Sequence, residues 1–210
     1  MASSKIVSIL QEIVKVLEGK QEELNRLDAN IGDGDHGRTV AGAFKNVLKQ
    51  EKELEGKDIG EALQIIGRTL AFSTGAATGP LYGSAFIEAG KKLKGKEKLS
   101  LEDWKEALSG AVEGVKRRGK AEVGDKTMLD TLYPMAKSLE DSIEKGESLK
   151  EALLKAKDAA KRGMESTKEL VSKRGRSSRL GERTKGHIDP GAASSYYVIE
   201  TIIKSCLKGE

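Results

Sequence analysis

The sequence predicts an all-α protein that folds as an antiparallel barrel or bundle of eight helices. Two observations support this prediction: apolar residues recur at helical spacing along almost the whole chain, and no run of alternating β-branched residues indicates a strand. Of the 210 residues, 37% are hydrophobic, which is enough to bury one sizeable core. We therefore expect a single helical domain that spans residues 1–210.

The first four helices are placed by apolar periodicity and by residues that favour a helix start. The first reaches about residue 26, and the second covers roughly residues 38–53. The third begins at Asp58, whose spacing from Glu61 is that of a capping box, and the fourth follows Pro80. The apolar stripe of the first helix consists of Ile6, Ile9, Leu10, Ile13, Val14 and Leu17.

The last four helices follow the same signals. The fifth starts at Ser100, the sixth covers roughly 127–145, and the seventh runs from Ser148 to about residue 173. The eighth begins after Asp189, a capping residue, and ends at Gly209.

The connections divide into two groups, because short links between helices imply antiparallel neighbours. Alternate connections then lie at the same end, and one end receives the loops near residues 28–37, 74–79, 119–126 and 174–189, which are rich in Gly, Asp, Ser and Thr. The other end receives plain Lys/Glu/Gly turns. Four helix N-termini beside glycine-rich backbone predict an anion-binding site at the first end.

The first of these loops holds three carboxylates within eight residues, those of Asp28, Asp33 and Asp35. A hard divalent cation would relieve their repulsion, and oxygen ligands on a flexible loop suit magnesium. An EF-hand is excluded, because the sixth position is Asp33 rather than glycine. The loop also matches the G-x-G-x-x-G pattern, but no strand precedes it and two acidic side chains would face a pyrophosphate. A solvated acidic turn is the alternative.

The second and third loops offer weaker signals. Thr78 lies among small residues that allow backbone amides to approach phosphate oxygens, although a plain helix–helix turn explains the same residues. The stretch from Gly114 to Ala121 almost matches a P-loop, but it lacks the required Ser or Thr and follows no strand. Met128 is more typical of a core than of a purine contact.

The fourth loop belongs to a basic segment. Residues 161–187 contain nine Lys or Arg and three Asp or Glu. The loop from 173 to 191 has no aromatic side chain to stack on bases, so arginine facing a phosphate is a better interpretation than a nucleic-acid surface. His187 is a candidate general acid or base, although a structural role is the more common one for a lone histidine.

Composition excludes several classes of protein. The net charge of +4 is too small for a protein dedicated to nucleic acid, and we expect no direct contact with nucleic acid. No apolar run approaches the roughly 20 residues of a membrane span, and the N-terminus lacks the features of a signal peptide. The single cysteine, Cys206, excludes an intrachain disulfide, so we expect a reducing, cytoplasmic location.

Five strings, taken together, carry a family resemblance: LDANIGDGDHG, GAATGPLYG, RGKAEVGDKTM, KGRSSRLGER and GHIDPGA. In this order and spacing the chain resembles the nucleotide-binding L subunits of dihydroxyacetone kinases that take phosphate from the phosphoenolpyruvate phosphotransferase system. The resemblance covers the chain almost end to end. It implies an antiparallel eight-helix barrel with the nucleotide at one end.

The resemblance also implies the residues of the site. Two magnesium ions would be bound by Asp28, Asp33 and Asp35, and Arg176 would contact the nucleotide or the transferred phosphoryl group as the catalytic residue. The implied contacts to ADP or ATP are His36, Gly37, Arg38, Thr39, Ala77, Thr78, Gly119, Met128, Arg176, Asp189, Pro190 and Gly191.

In such a kinase the nucleotide stays bound as a coenzyme. A phosphohistidine on an M subunit rephosphorylates ADP, and the γ-phosphoryl group passes to dihydroxyacetone held on a K subunit. A transcriptional regulator or a second copy of the chain are further partners that the resemblance leaves open. The alternatives are a kinase subunit that exchanges ATP, and a regulatory module that binds a partner according to its nucleotide state.

Overall fold

The computed structural model describes residues 2–208, with side chains from residue 4 onward, and these residues form helices and loops without a strand. Three short 3₁₀-helices lie at Glu51–Leu54, Thr167–Glu169 and Ser177–Thr184. The nine α-helices within the described range are α1 (Ala2–Gly19), α2 (Gln21–Ala29), α3 (His36–Leu48), α4 (Ile59–Phe72), α5 (Thr78–Lys92), α6 (Leu101–Gly119), α7 (Leu129–Glu144), α8 (Leu149–Ser166) and α9 (Pro190–Leu207).

Eight of these helices form a closed ring, which confirms the predicted all-α barrel. Beginning at α1, the chain packs α1 against α3, then each helix from α3 to α9 against the next, and finally α9 against α1. Helix α2 lies outside this sequence of neighbours and packs on α3 and α9. The closure means that both ends of the barrel gather loops from all round the ring.

The first predicted helix is divided in the structure. The chain leaves helical geometry at Lys20 (φ −100°, ψ 2°), directly after Gly19, a residue that weakens a helix interior. The break lets α2 turn and bury Leu24 against its neighbours. Packing thus overrides the continuous apolar pattern from which one helix was predicted.

Other helix ends differ by a few residues from the prediction. Helix α3 ends at Leu48 and α8 at Ser166, because 3₁₀ turns replace the last predicted turns of each. Helix α5 begins at Thr78 rather than after Pro80, which occupies an early position where no intrahelical N–H bond is lost. The predicted end of the last helix at Gly209 lies outside the described residues.

Predicted capping residues do begin helices. Asp58 accepts the N–H of Glu61 at 2.8 Å before α4. Complete capping boxes precede α6 at Ser100 and α8 at Ser148. Asp189 accepts the N–H of Ala192 at 2.8 Å and so caps α9. These polar caps satisfy N–H groups that a helix leaves without partners.

Close packing between α4 and α5 explains part of the high glycine content. Gly67 faces Gly83 so closely that a Cβ atom on Gly67 would lie 2.7 Å from the Gly83 carbonyl oxygen. Gly60 and Gly90 approach each other equally closely further along the same pair of helices. Glycines here allow the two backbones to touch, which no larger residue would permit.

The core runs through the centre of the ring. Phe44 is fully buried and meets Tyr82 edge to face, with ring centroids 5.6 Å apart. Among the described residues, no helix is both long and apolar enough to cross a membrane.

Candidate nucleotide site at one end of the barrel

A cavity of about 570 Å³ opens at the end of the barrel where the unusual loops were predicted to meet. All four loops line it, which confirms the parity argument. The lining from the candidate residues consists of Asp28, Asp33, Asp35, His36, Ala77, Thr78, Gly119, Met128, Arg176, Asp189, Pro190 and Gly191.

Three carboxylates meet at this cavity. One oxygen from each of Asp28, Asp33 and Asp35 can be chosen so that all three lie within 4.8 Å of one another. The loop between them reverses at Gly34, whose φ of +77° is a conformation that L side chains rarely adopt. Three hard oxygen donors at this separation fit a divalent cation such as Mg²⁺.

Asp28 also organises the loop that carries the other two carboxylates. Its Oδ2 accepts the backbone N–H of Asp35 at 2.9 Å and that of His36 at 3.2 Å. The carboxylate at the end of α2 is thereby tied to the first residues of α3. Asp28 therefore has a structural role in addition to any role as a ligand.

Two arginines place positive charge beside the cluster. Arg176 forms an ion pair with Asp33, and Arg38 lies 3.6 Å from Asp35. The side chain of Arg176 is 72% exposed, so this ion pair contributes little to stability and the guanidinium can exchange partners. At the base of the same loop, the Nε of Arg174 donates to Asp125 at 2.9 Å.

Helix N-termini supply further positive potential. The residues that begin α3, α5 and α9, and Met128 just before α7, all line the cavity. Unpaired N–H groups at such ends attract phosphate oxygens. Apolar side chains complete the wall, among them Leu81, Val115, Ala121 and Met128, and the last of these also packs in the core.

A buried lysine that the sequence analysis did not single out ties two loops together. Lys126 is 1% exposed, and its Nζ donates to the carbonyl oxygens of Thr167 and His187, each at 2.5 Å. Burial lowers the pKa of this ammonium, and nearby carboxylates, Asp189 foremost, oppose that effect. The only signal in the sequence is the Gly-Asp pair that precedes Lys126; the left-handed φ of +62° at this lysine is visible only in the structure.

Asp189 sits next to this lysine and is held on both sides. Its N–H donates to the Thr167 hydroxyl at 3.0 Å, while its carboxylate caps α9. Burial raises the pKa of Asp189 to about 7, although the Ala192 N–H and the Lys126 ammonium act in the opposite direction.

Beneath the carboxylates lies a hydrogen-bonded group from three helices. The Nε2 of His36 lies 2.9 Å from the Oγ of Ser194, and the Tyr82 hydroxyl lies 2.8 Å from the same oxygen. Burial lowers the pKa of His36, while the charges of Asp28 and Asp35 raise it.

Four candidate residues lie beside the cavity rather than in its wall. Gly37, Arg38 and Thr39 form the first turn of α3 directly behind the acidic loop. Gly37 packs tightly against the carbonyl of Gln21, which explains why no side chain is accommodated there. His187 contributes its backbone carbonyl to Lys126, and its ring does not line the cavity.

The fold and the site together define an all-α barrel with a phosphate-binding end that suits a metal–nucleotide complex. Residues 30–204 match the DAK2 domain family, and the chain belongs to that family.

The chain is similar to named bacterial proteins over nearly its whole length. It is 37% identical to "PEP-dependent dihydroxyacetone kinase, ADP-binding subunit DhaL" of Escherichia coli (strain K12), covering 96% of both chains. It is 36% identical to "PEP-dependent dihydroxyacetone kinase 2, ADP-binding subunit DhaL" of Listeria innocua, covering 99% of this chain and 97% of the relative.

A solved structure shares the fold. The crystal structure of the dihydroxyacetone kinase from C. freundii in complex with AMP-PNP and Mg²⁺ superposes with a TM-score of 0.69 at 28% identity, covering 95% of this chain. The chain spans about a third of the length of that kinase, 33%.

Proposed function

We propose that this chain is the nucleotide-binding subunit of a phosphoenolpyruvate-dependent dihydroxyacetone kinase and that it holds ADP with magnesium as a coenzyme. The observation that carries the proposal is the meeting of three carboxylates within 4.8 Å beside a cavity that is lined by four loops, each leading into a helix N-terminus. Relatives that this chain matches over 96–99% of its length are named ADP-binding subunits of such kinases, which supports the same conclusion.

The carboxylates of Asp28, Asp33 and Asp35 would hold two Mg²⁺ ions, and the whole chain, residues 1–210, would act as one nucleotide-binding domain. The metal ions, when bound, neutralise phosphate charge during phosphoryl transfer. The contacts to the nucleotide would come from His36, Gly37, Arg38, Thr39, Ala77, Thr78, Gly119, Met128, Arg176, Asp189, Pro190 and Gly191.

The residues of this chain would position the phosphates and balance their charge. The N-termini of α5 and α9 present backbone N–H groups to phosphate oxygens. Arg176, free to leave Asp33 because it is largely exposed, would pair with a phosphate oxygen and stabilise charge in the transition state. The cavity wall at Leu81 and Met128 offers an apolar surface for the base.

Partner subunits would complete the reaction. An M subunit would donate the phosphoryl group from its phosphohistidine, and a K subunit would present dihydroxyacetone as the acceptor. A regulator of transcription or a second copy of this chain are further candidate partners under the same proposal.

The experiment is the identification of the nucleotide that the protein retains. The chain is purified with Mg²⁺ present, washed extensively, denatured, and the released nucleotide is quantified by chromatography. We expect close to one ADP per chain. Protein that emerges empty but binds ATP reversibly would instead indicate a subunit that exchanges its nucleotide. Protein that neither carries nor binds a nucleotide with Mg²⁺ would overturn the proposal.

A further inference from the structure

A buried hydroxyl pair joins three of the helices that carry the site. Tyr82 lies on α5 and contacts Ser194 on α9, which in turn contacts His36, the first residue of α3. The Oγ of Ser194 lies 2.9 Å from the His36 ring and 2.8 Å from the Tyr82 hydroxyl, which also lies 3.3 Å from Ser195. Ser194 and Tyr82 are 0% and 4% exposed, so neither hydroxyl exchanges its partner for bulk water.

The group is fixed on each side. The Tyr82 ring packs edge to face on Phe44 of α3, which sets the direction of its hydroxyl. Ser194 also donates to the carbonyl oxygen of Gly191, 3.2 Å away, in the first turn of α9. The Ser194 hydroxyl, which contacts Tyr82 on α5 and His36 on α3, thus fixes the orientation of the His36 ring.

His36 connects the hydroxyl group that its ring contacts, that of Ser194, to the acidic loop. The backbone N–H of His36 donates to Asp28, and the preceding residue, Asp35, donates to the same oxygen. A displacement of the ring would therefore move two of the three clustered carboxylates relative to the N-termini of α5 and α9.

We infer that Tyr82 and Ser194 are positioning residues, which act through His36 to hold the carboxylates of Asp28 and Asp35 in register with the helix ends that bind the phosphates. The inference rests on the proposed function, because the quantity it predicts is the affinity for a magnesium–nucleotide complex. Tyr82 also lines the cavity, whereas Ser194 does not, so the Ser194 variant is the one that separates positioning from direct contact with the nucleotide.

The test uses Tyr82→Phe and Ser194→Ala, each of which removes one hydroxyl and leaves the core volume almost unchanged. The full chain is first freed of bound nucleotide by dialysis against EDTA, and it is then titrated with ADP by calorimetry, once with Mg²⁺ restored and once with EDTA. We expect the affinity in Mg²⁺ to fall roughly threefold to tenfold in either variant, as for the loss of one buried hydrogen bond. The affinity in EDTA should not change. The double variant should bind ADP with Mg²⁺ no more weakly than the single variant of lower affinity, because both hydroxyls act through one ring.

Matched controls separate positioning from general loss of stability. Tyr196→Phe removes another buried hydroxyl, 7% exposed, which donates to Glu200 at 3.0 Å. Ser142→Ala removes a buried serine hydroxyl that donates to Glu147 near the opposite end of the barrel. Both controls should lower the melting temperature about as much as the test variants and leave the affinity for ADP with Mg²⁺ unchanged.

A spectroscopic measurement without ligand reports on the network itself. The chain has two histidines, so the ¹⁵N resonances of the His36 ring can be compared with those of His187 as an internal reference. At one fixed pH, the test variants should shift the His36 resonances and leave those of His187 in place.

The outcomes are distinguishable. If the wild-type chain binds no nucleotide, the proposed function fails and this inference fails with it. If the wild-type chain binds but the two test variants bind as tightly, the inference alone is overturned, whatever the His36 resonances do. Equal losses of affinity in Mg²⁺ and in EDTA, or in test and control variants, would also overturn it.

Discussion

Replacing Lys126 by methionine tests whether a buried ammonium group holds the third and fourth loops together. The ammonium donates to the carbonyls of Thr167 and His187, both at 2.5 Å. Thr167 retains a second partner in the N–H of Leu170 at 3.2 Å, so the loss falls mainly on the carbonyl of His187. Methionine has a similar length and fills the same space without a charge.

The expected magnitude follows from those contacts. Two hydrogen bonds to a charged donor contribute about 1.5–3 kcal/mol each to the stability of the fold. Part of this contribution is offset by the free-energy cost of burying the ammonium, and methionine does not have that cost. We therefore expect the unfolding free energy to fall by about 2 kcal/mol, and the melting temperature by roughly 4–8 °C for a chain of this size. Affinity for ADP with Mg²⁺ should fall as well, because Asp189 follows His187 within two residues.

The assay is urea denaturation followed by circular dichroism, with Lys137→Met as the matched control. Lys137 lies on the outside of α7, with its side chain 53% exposed and paired to Glu140 at 2.8 Å. The control should unfold at the wild-type urea concentration. If the Lys126 variant were as stable as the control, the two short hydrogen bonds would not stabilise the fold and the reasoning would be refuted.

Three further predictions follow from the same structure. Asp33→Asn should abolish Mg²⁺-dependent retention of ADP, and retention of stoichiometric ADP would refute the metal assignment. The melting temperature of the nucleotide-free variant should equal that of nucleotide-free wild type, because Asp33 is half exposed and its ion pair with Arg176 contributes little. The unfolding free energy of wild type, measured relative to Asp189→Asn, should decrease by at most about 4 kcal/mol as pH rises from about 4 to 7. The reason is that the folded-state pKa of about 7 lies above the ordinary value of 3.8, so the folded chain keeps the proton to a higher pH than the unfolded chain. A pH-independent difference in urea titrations would contradict this. Gly67→Ala should lower the unfolding free energy by about 1–3 kcal/mol in thermal melts, since its Cβ atom would lie 2.7 Å from the Gly83 carbonyl oxygen. The control Gly42→Ala, whose Cβ atom would have nothing within 4 Å, should be neutral or stabilising by up to about 1 kcal/mol.

Local sequence information was sufficient for most helix starts. Asp58, Ser100, Ser148 and Asp189 each begin a helix as predicted, because a capping side chain bonds to N–H groups only two or three residues away. The end of α8 was predicted less well, since whether Ser166 is followed by an α or a 3₁₀ turn depends on where Thr167 packs.

The acidic loop was readable from the sequence because its three aspartates lie within one short stretch. Parity of the helices also predicted correctly that the loop from 74 to 79 and the loop from 174 to 189 would meet it. Both arguments use only chain connectivity and spacing, and neither requires knowledge of which side chains touch.

Contacts between distant segments were beyond that reach. Lys126 meets carbonyls 41 and 61 residues further along the chain, and Ser194 meets His36 at a separation of 158 residues. The residue types did not indicate these contacts, since lysine and serine side chains are mostly exposed in folded proteins. Periodicity and capping are local properties that the order of residues specifies directly. The closure of the ring and the hydrogen bonds beneath the cavity arise only when the helices pack together, because burial is what removes water as a competing partner.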